Sequence, residues 1–327
     1  MPLLDSATQV PVCPLTGAAM APWMRVPCDW RRPDATGRYE LFWSAAGQFG
    51  QLHPRPAKHE IPAFYDVEYY THHADVAGGG RGRGFLERLR VHLAWRADHG
   101  SDVTPESLRA TTGLATGSAL ELGCGDGKLL AGLQESGWAV VGVDPDPAAR
   151  KVAGERGLQV HDGTAEEPPA AIDGRTFDLV LMQHVLEHCL DPVQALRAAT
   201  AYLKPNGVLV VETPNNEATG LRAARAAWPW LDVPRHLNFF TPHSLRAACS
   251  LAGLAPVATE YTGYVRQFQR PWIENERHIR SVFDRREPGT PPASGTLAAW
   301  ALLARTALAR SRYKYDSVRV VARSVPR

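Results

Sequence analysis

The sequence predicts an α/β chain built on a doubly wound, seven-stranded sheet, and three observations carry that expectation. From Ser118 onward, short apolar runs alternate with helical segments, which is the pattern of strands buried on both faces and joined by crossover helices. The first of those strands runs into a glycine-rich turn, Glu121-Leu-Gly-Cys-Gly-Asp-Gly127. Hydrophobic residues make up 44% and charged residues 21% of 327 residues, an ordinary globular balance that excludes a disordered or fibrous chain.

Taken in order, the apolar runs place strands at 118–122, 139–143, 158–161, 177–182, 207–213, 256–261 and 315–323. Helices fall near 127–136, 147–156, 192–202 and 242–252, with two more ahead of the sheet, at 85–99 and after Thr104-Pro105. Right-handed crossovers then wind the helices onto both faces. Residues 1–84, rich in Pro, Gly and aromatics, read as an irregular lobe that ends in the linker Gly78–Gly84, and 85–327 as the main domain. Two segments interrupt the alternation, 214–241 and 263–314, and both read as lid insertions, the second with an apolar helix near 296–309.

Lys+Arg 36 against Asp+Glu 34 leaves a net charge of +2, which does not point to nucleic acid or an anionic membrane and leaves a small molecule as the expected partner. The longest apolar stretch spans about 14 residues and carries Arg305, too short to cross a bilayer. Five scattered cysteines and the lack of a secretory pattern at the N-terminus fit a reducing cytoplasm. A homodimer is left open.

Glycines in the first turn let the chain bend tightly and bring a ligand against the backbone. About twenty residues after Gly123 the next strand, VVGVD, ends at Asp144, placed to accept hydrogen bonds from a ribose diol. Glu121 and Asp126 put negative charge at this turn, which repels a diphosphate and favours the ammonium and sulfonium of S-adenosylmethionine. The spacing is GxGxG, against the GxGxxG of a dinucleotide site.

With these residues the chain resembles the class I S-adenosylmethionine-dependent methyltransferases over about 115–262. ELGCGDG is similar to the family's first motif, VVGVD to its second, FDLVLMQHVLEH to its fourth and LKPNGVLVVETPN to the segment entering its fifth strand. The resemblance implies a Rossmann-like sheet whose last strand is antiparallel, a place that DSVRVVAR at 316–323 suits. It implies that Glu121, Gly123, Gly125 and Gly127 hold the methionine part, with Cys124 among them, and that Asp144 and Pro145 face the ribose. Thr164 and Ala165 would lie by the adenine and Gln183 at the cofactor's edge, and the product would be S-adenosylhomocysteine.

His184-Val-Leu-Glu187-His188 follows a strand, at the carboxyl edge where such sheets bind ligands. Asp191-Pro192 leaves no room for the long helix of a zinc peptidase with the same H-x-x-E-H pattern. Some resembling quinone-type O-methyltransferases hold a divalent cation with Glu-x-x-Glu-His, from which His184 departs, and no metal is expected. His184 or His188 is a candidate general base, with His236 as another. Trp228, Trp230, Asn238, Phe239 and Phe240 of the first insertion are candidates for the acceptor pocket. In some relatives two Cys-x-x-Cys turns make a zinc ribbon ahead of the sheet; here Cys13-Pro-Leu-Thr16 and Trp43-Ser-Ala-Ala46-Gly47 stand in those places, so a degenerate, metal-free lobe is expected. The expected activity is methyl transfer to a small molecule, most readily to oxygen, in specialised-metabolite or sugar biosynthesis. C- or N-methylation and a silent cofactor-binding scaffold are the alternatives.

Overall fold

The computed structural model describes residues 10–35, 37–66, 84–287 and 295–325. Residues 78–83 of the linker lie outside them, as do 288–294 of the second insertion and Tyr69-Tyr70, which with Phe64-Tyr65 makes an aromatic cluster resembling a segment that touches cofactor or substrate in relatives.

Seven strands form the central sheet: β4 (Ser118–Leu122), β5 (Ala139–Val143), β6 (Val160–His161), β7 (Phe177–Gln183), β8 (Leu203–Pro214), β10 (Leu254–Thr262) and β11 (Ser317–Ser324). Their order is β10-β11-β8-β7-β4-β5-β6. The five from β4 to β8 run parallel, and β11 is antiparallel to both β8 and β10. Strand order thus reverses beside β4, which opens a crevice at the carboxyl ends of β4 and β7. Helices Lys128–Glu135, Pro147–Glu155, Pro192–Ala201 and Pro242–Leu251 lie where the periodicity places them. Three begin with Pro, and Asp146, Asp191 and Thr241 cap those three with side-chain oxygens.

The amino-terminal lobe differs from the expected irregular segment. β1 (Ala21–Val26), β2 (Tyr39–Ser44) and β3 (Phe49–His53) form an antiparallel meander. A fourth strand, β9 (Asn238–Phe239), joins β3 from inside the first insertion. The turns at Cys13–Thr16 and Ser44–Gly47 face each other: a Cβ placed on Gly47 would stand 2.8 Å from the Cys13 sulfur.

The insertion 214–241 forms a buried seam between the lobe and the main sheet. Trp228, Leu231, Val233, Leu237 and Phe239 pack with Val26, Leu41 and Leu52 of the lobe, while Phe240 enters the main core beside Phe49. So many apolar side chains in one loop have to be covered, each large one contributing about 1.5–3 kcal/mol when buried. In the second insertion, helix Arg270–Arg286 closes the lower side of that seam, and Thr296–Thr306 packs with Phe268 and Tyr264 near helix Phe85–Ala97. No described helix is long and apolar enough to cross a membrane.

Candidate active site

Strand β4 delivers Glu121 and then breaks at three glycines with φ of +74°, +54° and +74° (Gly123, Gly125, Gly127). These left-handed values are why the turn needs glycine. What lies above each differs: a Cβ on Gly123 would meet Val185 at 2.4 Å and one on Gly127 would meet Leu158 at 2.3 Å, whereas nothing lies within 4 Å of one on Gly125. Gly123 and Gly127 serve close packing, and the open space belongs to Gly125. The Gly125 N–H donates to Asp144 at 2.8 Å, and Asp146 N–H donates to the other Asp144 oxygen at 2.9 Å.

Glu121 is 3% exposed, its Oε1 accepts from Gln183 Nε2 at 2.8 Å, and its Oε2 has no partner. Burial pushes its carboxyl up to about 8, with Asp144 and Asp126 adding to the rise and Gln183 opposing it. A buried acid with one unsatisfied oxygen and no counter-ion is an arrangement that a cationic ligand relieves. Asp126 turns outward to Arg156 at 2.9 Å, so the buried acids of the cradle are Glu121 and Asp144. Cys124 packs its sulfur in the core; its backbone N–H donates to Val143 O at 3.1 Å and its carbonyl accepts from Gly127 N–H at 3.0 Å. Pro145 is exposed beside Asp144; Thr164 uses its hydroxyl to accept from Glu167 N–H within its own turn, and Ala165 is buried in the core.

One residue after Gln183 the chain enters the histidine cluster. His184 has φ +52°, a strained value for a side-chain-bearing residue, and its ring stacks on Trp230 with centroids 4.9 Å apart at 14°. Its Nδ1 faces Glu187 at 3.2 Å and its Nε2 faces Glu212 at 3.3 Å. Burial alone would lower this imidazole, but the two carboxylates outweigh it and hold it up at about 9. His184 is thereby a clamped imidazolium with no lone pair to offer, which removes it as a base. Glu212 also accepts from Arg319 Nε at 2.9 Å, and Arg319 reaches Glu260 at 2.8 Å, so alternating charges run across the sheet edge.

The other two histidines are oriented differently. His188 Nδ1 lies 3.1 Å from Arg235 O and 2.9 Å from the Tyr65 hydroxyl; His236 Nδ1 lies 2.9 Å from Trp230 O. A carbonyl only accepts, so Nδ1 carries a proton in both rings. Burial, helped by His188, pulls His236 down to about 4. The two rings meet edge to face at 4.6 Å. Glu187, 1% exposed, spends Oε1 on His184 and leaves Oε2 without a partner. Burial would raise this acid, but the hydrogen bond and charge of His184 hold it below the usual range. Among the described residues, Glu187, His188 and His236 are the one group of three whose ligand atoms all lie within 4.8 Å of one another.

The residues that the sequence offers for an acceptor pocket differ in burial. Trp228, Phe239 and Phe240 are core residues, 0–1% exposed, because the lobe's sheet covers them. Trp230 stays half-buried on His184, with the Arg266 guanidinium 4.8 Å from its centroid and Trp272 edge-on at 6.0 Å. Asn238 is 1% exposed and ties loops together: Nδ2 donates to Cys189 O at 2.6 Å and Leu186 O at 3.3 Å, and Oδ1 accepts from Gln51 and Arg55, both at 3.2 Å. Sequence reasoning missed the parts played by Glu212 and Arg55. The acid inside the apolar run LVVETP was the available signal for Glu212; nothing local marks Arg55.

Residues 96–259 match the family described as methyltransferase domain, half of the chain. The chain belongs to the methyltransferase-domain family. The relatives of known name include two ubiquinone biosynthesis O-methyltransferases, from Azorhizobium caulinodans (38% identical over 159 residues, 45% of this chain and 61% of the relative) and Ruegeria pomeroyi (34% over 148 residues, 42% and 60%). The match thus spans about three-fifths of those relatives' own length. Among solved structures, the chain is similar to the Burkholderia thailandensis 1,6-didemethyltoxoflavin-N1-methyltransferase with bound S-adenosylhomocysteine (18% identity, TM-score 0.47, covering 88% of this chain and 96% of that one). The methyltransferase cofactor is S-adenosylmethionine, and the cradle fits it: Glu121 presents an unpaired oxygen to a cation, and the space over Gly125 admits a ligand against the backbone.

Proposed function

We propose that this methyltransferase carries the methyl group of S-adenosylmethionine to the hydroxyl oxygen of a small, flat or apolar acceptor. The observation that carries the reading is adjacency: Gln183 touches Glu121 of the donor cradle, and the next residue, His184, opens the cluster that holds Glu187, His188 and His236. Donor and acceptor sites are thus one peptide bond apart at the carboxyl ends of β4 and β7. The O-methyltransferase names of the relatives support oxygen as the accepting atom.

The bound cofactor supplies an activated methyl group on a positively charged sulfur. The protein's part is to align and to take up a proton. Glu121 and Asp144, both ionised when a cation is present, orient the donor. Trp230, fixed by its stack on His184, with the Arg266 guanidinium over its ring and Trp272 at its edge, lends an aromatic wall beside the cluster. The acceptor's hydroxyl proton would pass to the cluster, where the unpartnered Glu187 oxygen and the Nε2 of His236 can take it. Alignment in a pocket shielded from water contributes most of the rate, and the base a smaller factor. We infer a biosynthetic setting, that of a specialised metabolite or a sugar.

The test is a pair of measurements. Calorimetry with S-adenosylmethionine and with NAD separates a sulfonium site from a dinucleotide site. A panel of phenols, sugar alcohols, amines and acidic-carbon compounds, read by S-adenosylhomocysteine release, then separates O- from N- or C-methylation; binding without turnover on any acceptor would leave a scaffold.

A further inference from the structure

A second cleft, of about 410 Å³, opens where the lobe's sheet faces helix Thr219–Ala224, and no residue of the donor cradle or the histidine cluster lines it. Its lobe side is aromatic. Trp23 of β1 and Trp43 of β2 lie with ring centroids 4.9 Å apart, Trp23 meets Phe239 of β9 at 5.8 Å, and both indoles stay half-buried. Gly50 of β3 makes room for them, since a Cβ there would stand 3.0 Å from Trp43 and 3.3 Å from Trp23. The opposite side is cationic, with Arg222, Arg225 and Arg312. Glu217 neutralises one of these, accepting from Arg312 Nε at 2.9 Å. Arg222 rests its guanidinium on Tyr313, 5.3 Å from the centroid, and neither it nor Arg225 has a carboxylate partner among the described residues. Asn216, 8% exposed on the same wall, turns its amide nitrogen to Phe240 O at 3.1 Å and Pro214 O at 3.3 Å and leaves Oδ1 without a donor. Gln48 and Arg225, two of the five side-chain-bearing residues with left-handed φ among those described, also line the cleft, at +47° and +57°. Such backbone persists only where its surroundings hold it, and it gathers at binding sites.

We propose that the cleft between Trp23, Trp43 and the Arg222–Arg225 turn binds a planar aromatic carboxylate, at a place separate from the donor and acceptor sites of methyl transfer. Two indoles tilted by 44° form a notch that takes a flat ring by face and edge. Guanidinium groups match a carboxylate in geometry as well as sign, and hold it by paired N–H bonds. Each half of the ligand answers one half of the cleft. A neutral aromatic would leave Arg222 and Arg225 without a counter-charge, and a bare inorganic anion would leave two indoles open to water. The volume lies in the range of small-molecule sites and suits a compound of one or two rings. A ring hydroxyl or N–H on that compound would satisfy Asn216 Oδ1.

Binding is read without turnover, so failure here leaves the methyl-transfer reading standing, and failure of that reading leaves this one. The full chain is titrated by calorimetry with 2-naphthoate and with 2-naphthamide, its neutral counterpart. The expected result is about one equivalent of naphthoate with a Kd near or below about 1 mM, as a ligand of that size reaches in a fitted pocket, and an amide about tenfold weaker or more. S-adenosylhomocysteine at saturation should leave the naphthoate affinity within about twofold, because the two sites share no residue. Arg225→Gly frees the left-handed backbone, so it should hold or raise Tm and yet weaken naphthoate by about tenfold. Trp43→Ala should weaken naphthoate and amide alike; where that variant fails to fold, the exposed Arg222→Ala gives a second reading, weakening naphthoate and sparing the amide. No naphthoate binding at about 5 mM, equal affinity for the amide, displacement by S-adenosylhomocysteine, or unchanged affinity in Arg225→Gly overturns the proposal.

Discussion

At the scale of single residues, what distinguishes the site is which polar atoms have been left without partners. Glu121 is held protonated in the free protein up to about pH 8 by burial, whereas in the unfolded chain it titrates near 4.5. A raised acid stabilises the fold below its unfolded value, and that contribution falls as pH rises through 4.5 toward 8. Cofactor binding needs the ionised form, so affinity should increase with pH up to about 8 and, at pH 7, binding should release a proton, measurable by calorimetry in buffers of different ionisation enthalpy. Glu121→Gln should raise Tm at pH 8.5 more than at pH 5.5 and weaken S-adenosylmethionine by about 1.5–3 kcal/mol, the worth of a charge-assisted hydrogen bond. The glycines give a sharper contrast. Gly125→Ala, with open space over its Cβ, should lose about 1–2 kcal/mol of stability to its left-handed φ yet lose cofactor binding altogether. Gly123→Ala, whose Cβ collides with Val185, should cost clearly more stability. Undiminished cofactor binding in Gly125→Ala would show that the open space has no ligand role, and equal Tm losses in the two would remove the packing contrast.

Elements matter here through the loops they anchor. The turn that carries Glu187 and His188 is a single 3-10 turn, Leu186–His188, too short to hold its own shape. It is fixed from outside: Asn238 donates to the Leu186 and Cys189 carbonyls, and Arg55, at the end of β3, donates to Cys189 O at 3.1 Å and to Leu190 O. Asn238→Ala should therefore cost about 2–4 kcal/mol, since it strands several buried carbonyls at once. Turnover should fall with it, while cofactor affinity stays within about twofold because Glu121, Gln183 and Asp144 sit on the central sheet. Urea unfolding and calorimetry on the same variant check both halves.

For the whole molecule the point at issue is where it divides. A boundary at residue 84 follows from composition, but β3 pairs with β9 and the lobe's Phe49, Leu41 and Val26 share cores with the seam and the main sheet. A chain beginning at residue 85 would leave β9 unpaired and Phe239 and Phe240 bare. It should lose cooperative thermal unfolding and bind a hydrophobic dye; a sharp transition within a few degrees of the full chain's Tm would restore the boundary at 84.

The seven central strands were legible because apolar runs of strand length, separated by helical periodicity, specify a parallel sheet through local chemistry alone. The glycine turn and Asp144 were legible for the same reason, their spacing being set by one strand and one crossover. The amino-terminal strands were hidden: they are 5–6 residues long, broken by Pro and Gly, and partly complete their sheet through a contact such as Gln51 with Asn238, 187 residues apart. The roles of the three histidines were equally out of reach. Sequence supplies the same imidazole at 184, 188 and 236, and only the fold decides that the first stands between two carboxylates while the others back onto carbonyls. Local sequence determined the scaffold and the donor cradle; protonation and ligand capacity depend on partners far along the chain, and those exist only after folding.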